Sequence, residues 1–280
     1  MLRFAVIVLL AAIATACSST SESLSIHAPP MPDPEGSRAA LAYVFDGDSI
    51  EVEIEGRTEE IRLIGINAPE ADECFGEPAR SALVAYLDGE DLVLVAGSDS
   101  DTDQYGRLLR YVYVGGENVN GRLLADGNAI TLQGDHRYNE AFAEIGNLAA
   151  DAGYGMWDAD ACGPPPTPGM NIVDVQHNPP GPDDEHLNDE YVTIANEGED
   201  VIDLTGWTLR DESSQNRFVF GDVTLAPGDS LKVRTGCGTN RADGLHWCAA
   251  RSVWSNSGDT VILQDTHGNI VDWWAYAGSR

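Results

Sequence analysis

Lysine is all but missing from this sequence. Lys232 is the only one in 280 residues, and lysine and arginine together number 16 against 46 aspartates and glutamates, for a formal net charge of -30. That shortage excludes a broad basic face of the kind that holds nucleic acid by charge alone. Dense carboxylate with almost no lysine suits a salt-rich habitat, where screening removes both self-repulsion and the repulsion of phosphate. There is no Cys-x-x-Cys and no His-x-x-x-His spacing, which argues against a zinc site. Nor is any apolar run long enough to span a bilayer stably.

The one marked apolar run lies at the start. Arg3 precedes apolar residues 4–13, and small residues then lead to Cys17. This reads as an export signal, because residues 18–34 follow as a polar, proline-containing spacer without helical period. Ala14-Thr15-Ala16-Cys17 resembles the cleavage box of bacterial lipoproteins, with Ala14 where that family more often has leucine. The resemblance implies acylation of Cys17 and a membrane contact through that lipid alone; ordinary cleavage with free secretion is the alternative. The expected location is extracellular, secreted or membrane-anchored. The other four cysteines are an even set in an oxidising compartment, and proximity in sequence pairs Cys74 with Cys162 and Cys237 with Cys248.

Residues 1–17 are therefore read as signal and lipidation segment, and 18–38 as a disordered linker. From 39 to 162 strand-like and helix-like pieces alternate. Ile50, Val52 and Ile54 alternate with Glu51 and Glu53 as in a half-buried strand, and Glu55-Gly56-Arg57 reads as a hairpin turn. Strands are expected over 41–45, 49–54, 60–64, 92–96 and 108–114, with helices over 78–87, 119–125 and 138–152. Five strands with helices after the third and fifth fit an α+β fold built on a five-stranded OB-type Greek-key β-barrel, and composition alone does not choose it over other α+β folds. Residues 163–169, Gly-Pro-Pro-Pro-Thr-Pro-Gly, cannot hold a helix or a central strand and read as a semi-rigid spacer. From 170 to 280 helix signals vanish. Short β-prone runs over 172–175, 191–195, 207–210, 218–220, 231–234, 260–263 and 270–276 predict an all-β immunoglobulin-like sandwich.

Three clusters in the first domain hold the polar groups a phosphodiesterase needs: Asp46-Gly47-Asp48-Ser49, then Arg62 through Asn67 to Glu70, then Asp103-Gln104-Tyr105-Gly106-Arg107. Singly, each has a bland reading as a turn, a solvated strand end or a loop. Together, in order and spacing, they resemble the three signature segments of the staphylococcal nuclease (thermonuclease) family, over about residues 39–157. The resemblance implies a nuclease dependent on calcium. Asp48 and Asn67 match ligand positions, and Ala68 matches one that coordinates through its backbone carbonyl. Arg62 and Arg107 match phosphate-binding arginines, and Glu70 matches the acid assigned as general base. It further implies cleavage of the P–O5′ bond, leaving a 3′-phosphate and a 5′-hydroxyl. One departure is Asn67, where the founding pattern has aspartate, which predicts weaker calcium binding. Hard oxygen donors suit calcium, and guanidinium forks suit the charge that builds on an attacked phosphate. Tyr105, Arg110, Arg137 and Tyr138 are further substrate-binding candidates, as is Arg122, with surface charge or core packing as the alternative for each.

In the second module Asn178-Pro179-Pro180-Gly181, Asp189 through Asn196, Asp203 through Leu209 and Ser257 through Leu263 resemble the lamin-tail domain family. The resemblance identifies no ligand, and the module is read as a non-catalytic tether. Its histidines lie in different predicted loops without motif spacing. DNA or RNA is the expected substrate of what is read as a monomer. The rival reading is a non-hydrolytic nucleic-acid-binding surface protein or adhesin, which would have no use for Asp48, Arg62, Glu70 and Arg107 together.

Overall fold

The structure, a computed structural model, describes residues 36–278 apart from 98–99, 183–184, 214 and 243. The export and lipidation reading, Cys17 included, lies outside the described residues. Among those residues no helix is long and apolar enough to cross a membrane. Strand β1 (Ser37–Val44) begins two residues earlier than the linker read from sequence allows. Ser37 and Arg38 are drawn into it because Leu94 and Val93 offer a partner edge.

The first domain runs β1, β2 (Ser49–Ile54), β3 (Arg57–Leu63), α1 (Gly76–Leu87), β4 (Leu92–Val95), β5 (Leu108–Val114), α2 (Val119–Ala125) and α3 (Asn139–Asp151). Glu55 and Gly56 both have positive φ, 50° and 78°, the twist that a two-residue hairpin between β2 and β3 requires. The strands lie in the order β3-β2-β1-β4-β5, and a parallel pairing of Arg62 with Leu109 closes them into a five-stranded barrel. The alternation in β2 sends Ile50 and Val52 inward to Ile61, Leu63, Leu83 and Tyr111, all fully buried. Asn120, also buried, staples the closing seam: its Oδ1 accepts from Val112 N–H at 2.9 Å and its Nδ2 donates to the Ile64 carbonyl at 2.9 Å.

The second domain is a sandwich of two four-stranded sheets. One has the order β11 (Gly244–His246), β10 (Ser230–Arg234), β7 (Tyr191–Asn196), β6 (Met170–Gln176); the other β9 (Arg217–Val219), β8 (Thr208–Arg210), β12 (Gly258–Gln264), β13 (Ile270–Ala277). Trp207, Phe220 and Trp254 fill the space between them. Strand β11 was not expected from sequence. Three residues that begin on glycine carry no alternation, and the strand exists because it pairs in parallel with β10.

The spacer does not hold the domains apart. Met156 and Trp157 of the first domain pack with Ile262, Ile270 and Trp273 of the second, and the rings of Trp157 and Trp273 stand 5.2 Å apart. Gln133 donates its backbone N–H to Glu212 Oε1 at 2.6 Å and its side-chain amide to the carbonyls of Asp259 and Tyr276. Cys162, bridged to Cys74, donates its N–H to Asn269 at 2.8 Å. The second bridge, Cys237–Cys248, lies within the sandwich.

This seam buries acids. Burial and then the charge of Asp259 push Glu212 well above the usual carboxylate range, and burial with the neighbouring Asp211 charge lifts Asp259 to about 7. The folded protein thus binds these protons more tightly than the unfolded chain does. The resulting stability is complete below the ordinary aspartate value of 3.8 and is lost as pH rises through about 7. Thermal or urea unfolding is expected to show the protein more stable at pH 5 than at pH 8 by about 2–4 kcal/mol. Asp259→Asn should flatten that slope, and equal slopes in parent and variant would show that the seam does not carry it.

Candidate active site

The loop between β1 and β2 carries Asp46, Gly47 and Asp48. It lies close against the segment after β3, since a Cβ at Gly47 would stand 2.6 Å from that of Ala68. Glycine is what permits Asp48 to reach beneath that segment. Asp48 is only 5% exposed, and its carboxylate is held on every side. Oδ2 accepts from Ala68 N–H at 2.8 Å and pairs with Arg62 at 2.9 Å, while Oδ1 accepts from the Ser49 hydroxyl at 2.8 Å. Burial nevertheless outweighs the Arg62 guanidinium, and with the Asp46 charge added the carboxyl is pushed up to about 6.

Arg62 sits at the end of β3, where the chain turns through Gly65 (φ 75°) into the short strand Ile66–Asn67. It donates to the carbonyls of Leu63 and Ile66 at 2.8 and 2.7 Å and to Asn67 Oδ1 at 3.1 Å. One guanidinium therefore draws the side-chain oxygens of Asp48 and Asn67 together. Arg107 enters from the loop before β5. Its Nε donates to Asp103 Oδ2 at 2.7 Å and its Nη1 to the Ser49 hydroxyl at 3.1 Å, which brings the third sequence cluster against the first. Burial opposes ionisation of Asp103, yet the Arg107 side chain and the backbone N–H groups of Arg107 and Tyr105 prevail and hold its carboxyl below the usual range.

Glu70 is exposed, at the head of a tight turn that ends in α1. Its N–H donates to Glu73 Oε2 at 3.2 Å, and its carbonyl accepts from Glu73 N–H at 2.9 Å. Gly76 admits that carbonyl, since an added Cβ would lie 2.0 Å from the oxygen. Asp48, Arg62, Asn67, Glu70 and Arg107 all line one open cleft of about 650 Å³, with Asp46, Asp103 and the segment from Leu132 to His136. Ala68 lies just behind it, its N–H on Asp48.

The outer substrate candidates fare differently. Tyr105 stands on the cleft rim, 70% exposed, with the Arg107 guanidinium 5.5 Å from its ring centre. Tyr138 is not an open stacking face: its ring packs against Tyr111 at 4.8 Å and its hydroxyl accepts from Tyr113 at 3.0 Å, as part of the core wall. Arg110 is turned onto Asp101 at 2.6 Å and the Leu109 carbonyl, and neither it nor Arg137 is among the described residues lining the cleft. Arg122 lies against Tyr86, Glu117 and Asp126 instead. Sequence reasoning missed Gln133, His136, Ser213 and Gln215, which do line it. The last two come from the second domain, and no local pattern announces them.

Two carboxylates of different surroundings, one buried among donors and one exposed, beside two arginines are a set that can place a phosphate and move a proton. Residues 60–159 match the family Staphylococcal nuclease homologue, and residues 164–278 match Lamin Tail Domain. Asp48 lies upstream of the first match, while Arg62, Asn67, Glu70 and Arg107 lie within it. The chain is 30% identical over 123 residues to an uncharacterized endonuclease of Escherichia coli O157:H7, covering 43% of this chain and 78% of that protein. It is 27% identical to the thermonuclease of Staphylococcus hyicus, covering 41% of this chain and 72% of that one. With Protein ParB of Escherichia coli it shares 34% identity, over 33% of this chain and 55% of ParB. The chain spans about half the length of ParB and of other such relatives. From the family matches and the endonuclease covered over most of its length, the chain belongs to the staphylococcal nuclease homologues, joined here to a lamin tail domain.

Proposed function

We propose that this protein is a calcium-dependent phosphodiesterase that hydrolyses DNA or RNA outside the cytoplasm, leaving a 3′-phosphate and a 5′-hydroxyl. The observation that carries the reading is the convergence of Asp48, Arg62, Asn67, Glu70 and Arg107 on one cleft at the barrel seam. Relatives named as thermonuclease and micrococcal nuclease support it. The two disulfides agree with an oxidising compartment, as does the export signal read over residues 1–17. A monomer suffices, since all these groups come from one chain.

Calcium fits the donor set. The described residues hold no cluster of three or more acidic, histidine or cysteine side chains that could hold a metal, so a site here draws on mixed oxygens. Asp48 and Asn67 offer a carboxylate and an amide oxygen that Arg62 draws together, and Ala68 would add a backbone carbonyl, all hard donors. The cleft lining counts five acids, Asp46, Asp48, Glu70, Asp103 and Asp135, against Arg62 and Arg107. A polyanion meets repulsion there unless a cation offsets it, which also disfavours a pure binding platform. When bound, calcium supplies that charge and polarises the phosphate oxygens. Arg107 offers a guanidinium to the charge developing on those oxygens, and Arg62 holds the two ligand side chains in place. Glu70 takes a proton from the attacking water as its oxygen bonds to phosphorus. The P–O5′ bond breaks, and the 5′ oxygen is protonated from solvent.

The test is digestion of single-stranded DNA, duplex DNA and RNA while calcium is titrated, at several salt concentrations. Activity is expected to rise with calcium and to vanish in a chelator; full activity in chelator would overturn the metal assignment, and no hydrolysis of any substrate would overturn the function. Asn67→Asp adds a negative ligand and is expected to lower the calcium needed for half-maximal rate by on the order of tenfold.

A further inference from the structure

The second domain reaches the cleft from both sides. On one side, Glu73 uses both carboxylate oxygens: Oε2 accepts from Glu70 N–H, and Oε1 pairs with the guanidinium of Arg217 at the start of β9. Arg210, buried beneath, has its guanidinium pushed down to about 10 by burial and partly restored by the Glu73 charge. Both arginines belong to the lamin-tail domain, so the turn bearing Glu70 is fixed from outside the barrel. Cys74, next in sequence, is bridged to Cys162, whose N–H is held by Asn269 of the same domain. On the other side, Glu212, Asp259 and Tyr276 grip Gln133, the residue through which the opposite rim passes. Between these two holds, Ser213 and Gln215 line the cleft itself.

We propose that the lamin-tail domain is a working part of the nuclease cleft: Arg217 is a positioning residue for Glu70, acting through Glu73, and Gln215 contacts the nucleic-acid strand flanking the reacting phosphate. The assignment rests on the hydrolytic reading above. A carboxylate that must meet a water in line with phosphorus tolerates little displacement, and the Glu73 side chain that accepts from Glu70 N–H is itself held by Arg217 of the second domain. Gln215 supplies a neutral amide that can both donate and accept, and so can serve the sugar or phosphate of a strand of any sequence.

The test compares the full-length parent with Arg217→Ala, Arg217→Lys, Glu73→Ala, the Arg217→Ala/Glu73→Ala double variant and Gln215→Ala on single-stranded DNA. Arg217→Ala is expected to lower kcat about tenfold with little change in KM. Arg217→Lys should recover part of that loss, and the double variant should fall no further than Glu73→Ala alone. Gln215→Ala should raise KM about three- to tenfold with a smaller effect on kcat. An active parent whose Arg217 and Gln215 variants keep its kcat and KM would overturn this assignment and leave the nuclease reading standing. Additive losses in the double variant would overturn the route through Glu73. An inactive parent overturns the function and this inference with it.

Discussion

Glu70→Gln is expected to lower kcat by about 100- to 10,000-fold while KM stays within a few-fold of the parent. The glutamine keeps the size and polarity of the side chain and loses only the ability to take a proton. What binds Glu70 into its turn is its backbone, through the N–H that donates to Glu73 Oε2 and the carbonyl that accepts from Glu73 N–H, so the turn survives the change. Its exposure adds that no buried contact is broken. Arg107→Ala should fall by about 100- to 1,000-fold, yet it also strips Asp103 and the Ser49 hydroxyl of their partner and so reports less cleanly. Single-turnover rates on a short single-stranded DNA would measure both. A Glu70→Gln protein that cuts as fast as its parent would remove this carboxylate from the chemistry.

The second large effect concerns stability. Replacing Cys74 and Cys162 by serine should cost about 4–5 kcal/mol, against about 3 kcal/mol for the Cys237–Cys248 pair, because the first closes a loop of 88 residues and the second one of 11. Cross-linking removes more freedom from the unfolded chain the longer the loop. The long bridge also joins the Glu70 turn to the domain seam, so its loss should reduce activity before the fold melts. Urea unfolding of the two double variants, with activity read at sub-denaturing concentrations, checks both. A short-loop variant less stable than the long-loop one would show that loop length does not set the cost.

The barrel and its central site were legible in the sequence because each motif is local. Asp-Gly-Asp sits in one turn, Arg62 to Glu70 is one stretch of chain, and Asp103 to Arg107 is one loop whose acid and arginine bond to each other. Even the meeting of the clusters follows once the strands between them are known. For Arg110 and Tyr138 the sequence left the role open, because each side chain's fate depends on another element. Arg110 is claimed by Asp101 across a loop, and Tyr138 by Tyr111 and Tyr113 on a neighbouring strand. Similarly, Trp273 reads as an apolar residue of an edge strand, and only its partner Trp157, from the other domain, makes it part of a seam. Ser213 and Gln215 are ordinary polar loop residues until the domains pack.

Barrel closure carries a further consequence. Arg62 and Leu109 become neighbours only when β3 and β5 pair in parallel, and Asn120 then ties the two strands together just beyond one end of that pairing. Arg107, two residues before Leu109, arrives beside Ser49 in the same event. Assembly of the phosphate cradle and completion of the hydrogen-bonded cylinder are thus one step, joining chain segments more than forty residues apart. During refolding, hydrolytic competence should lag the return of helical signal, and chains caught before that step will be harmless to nucleic acid.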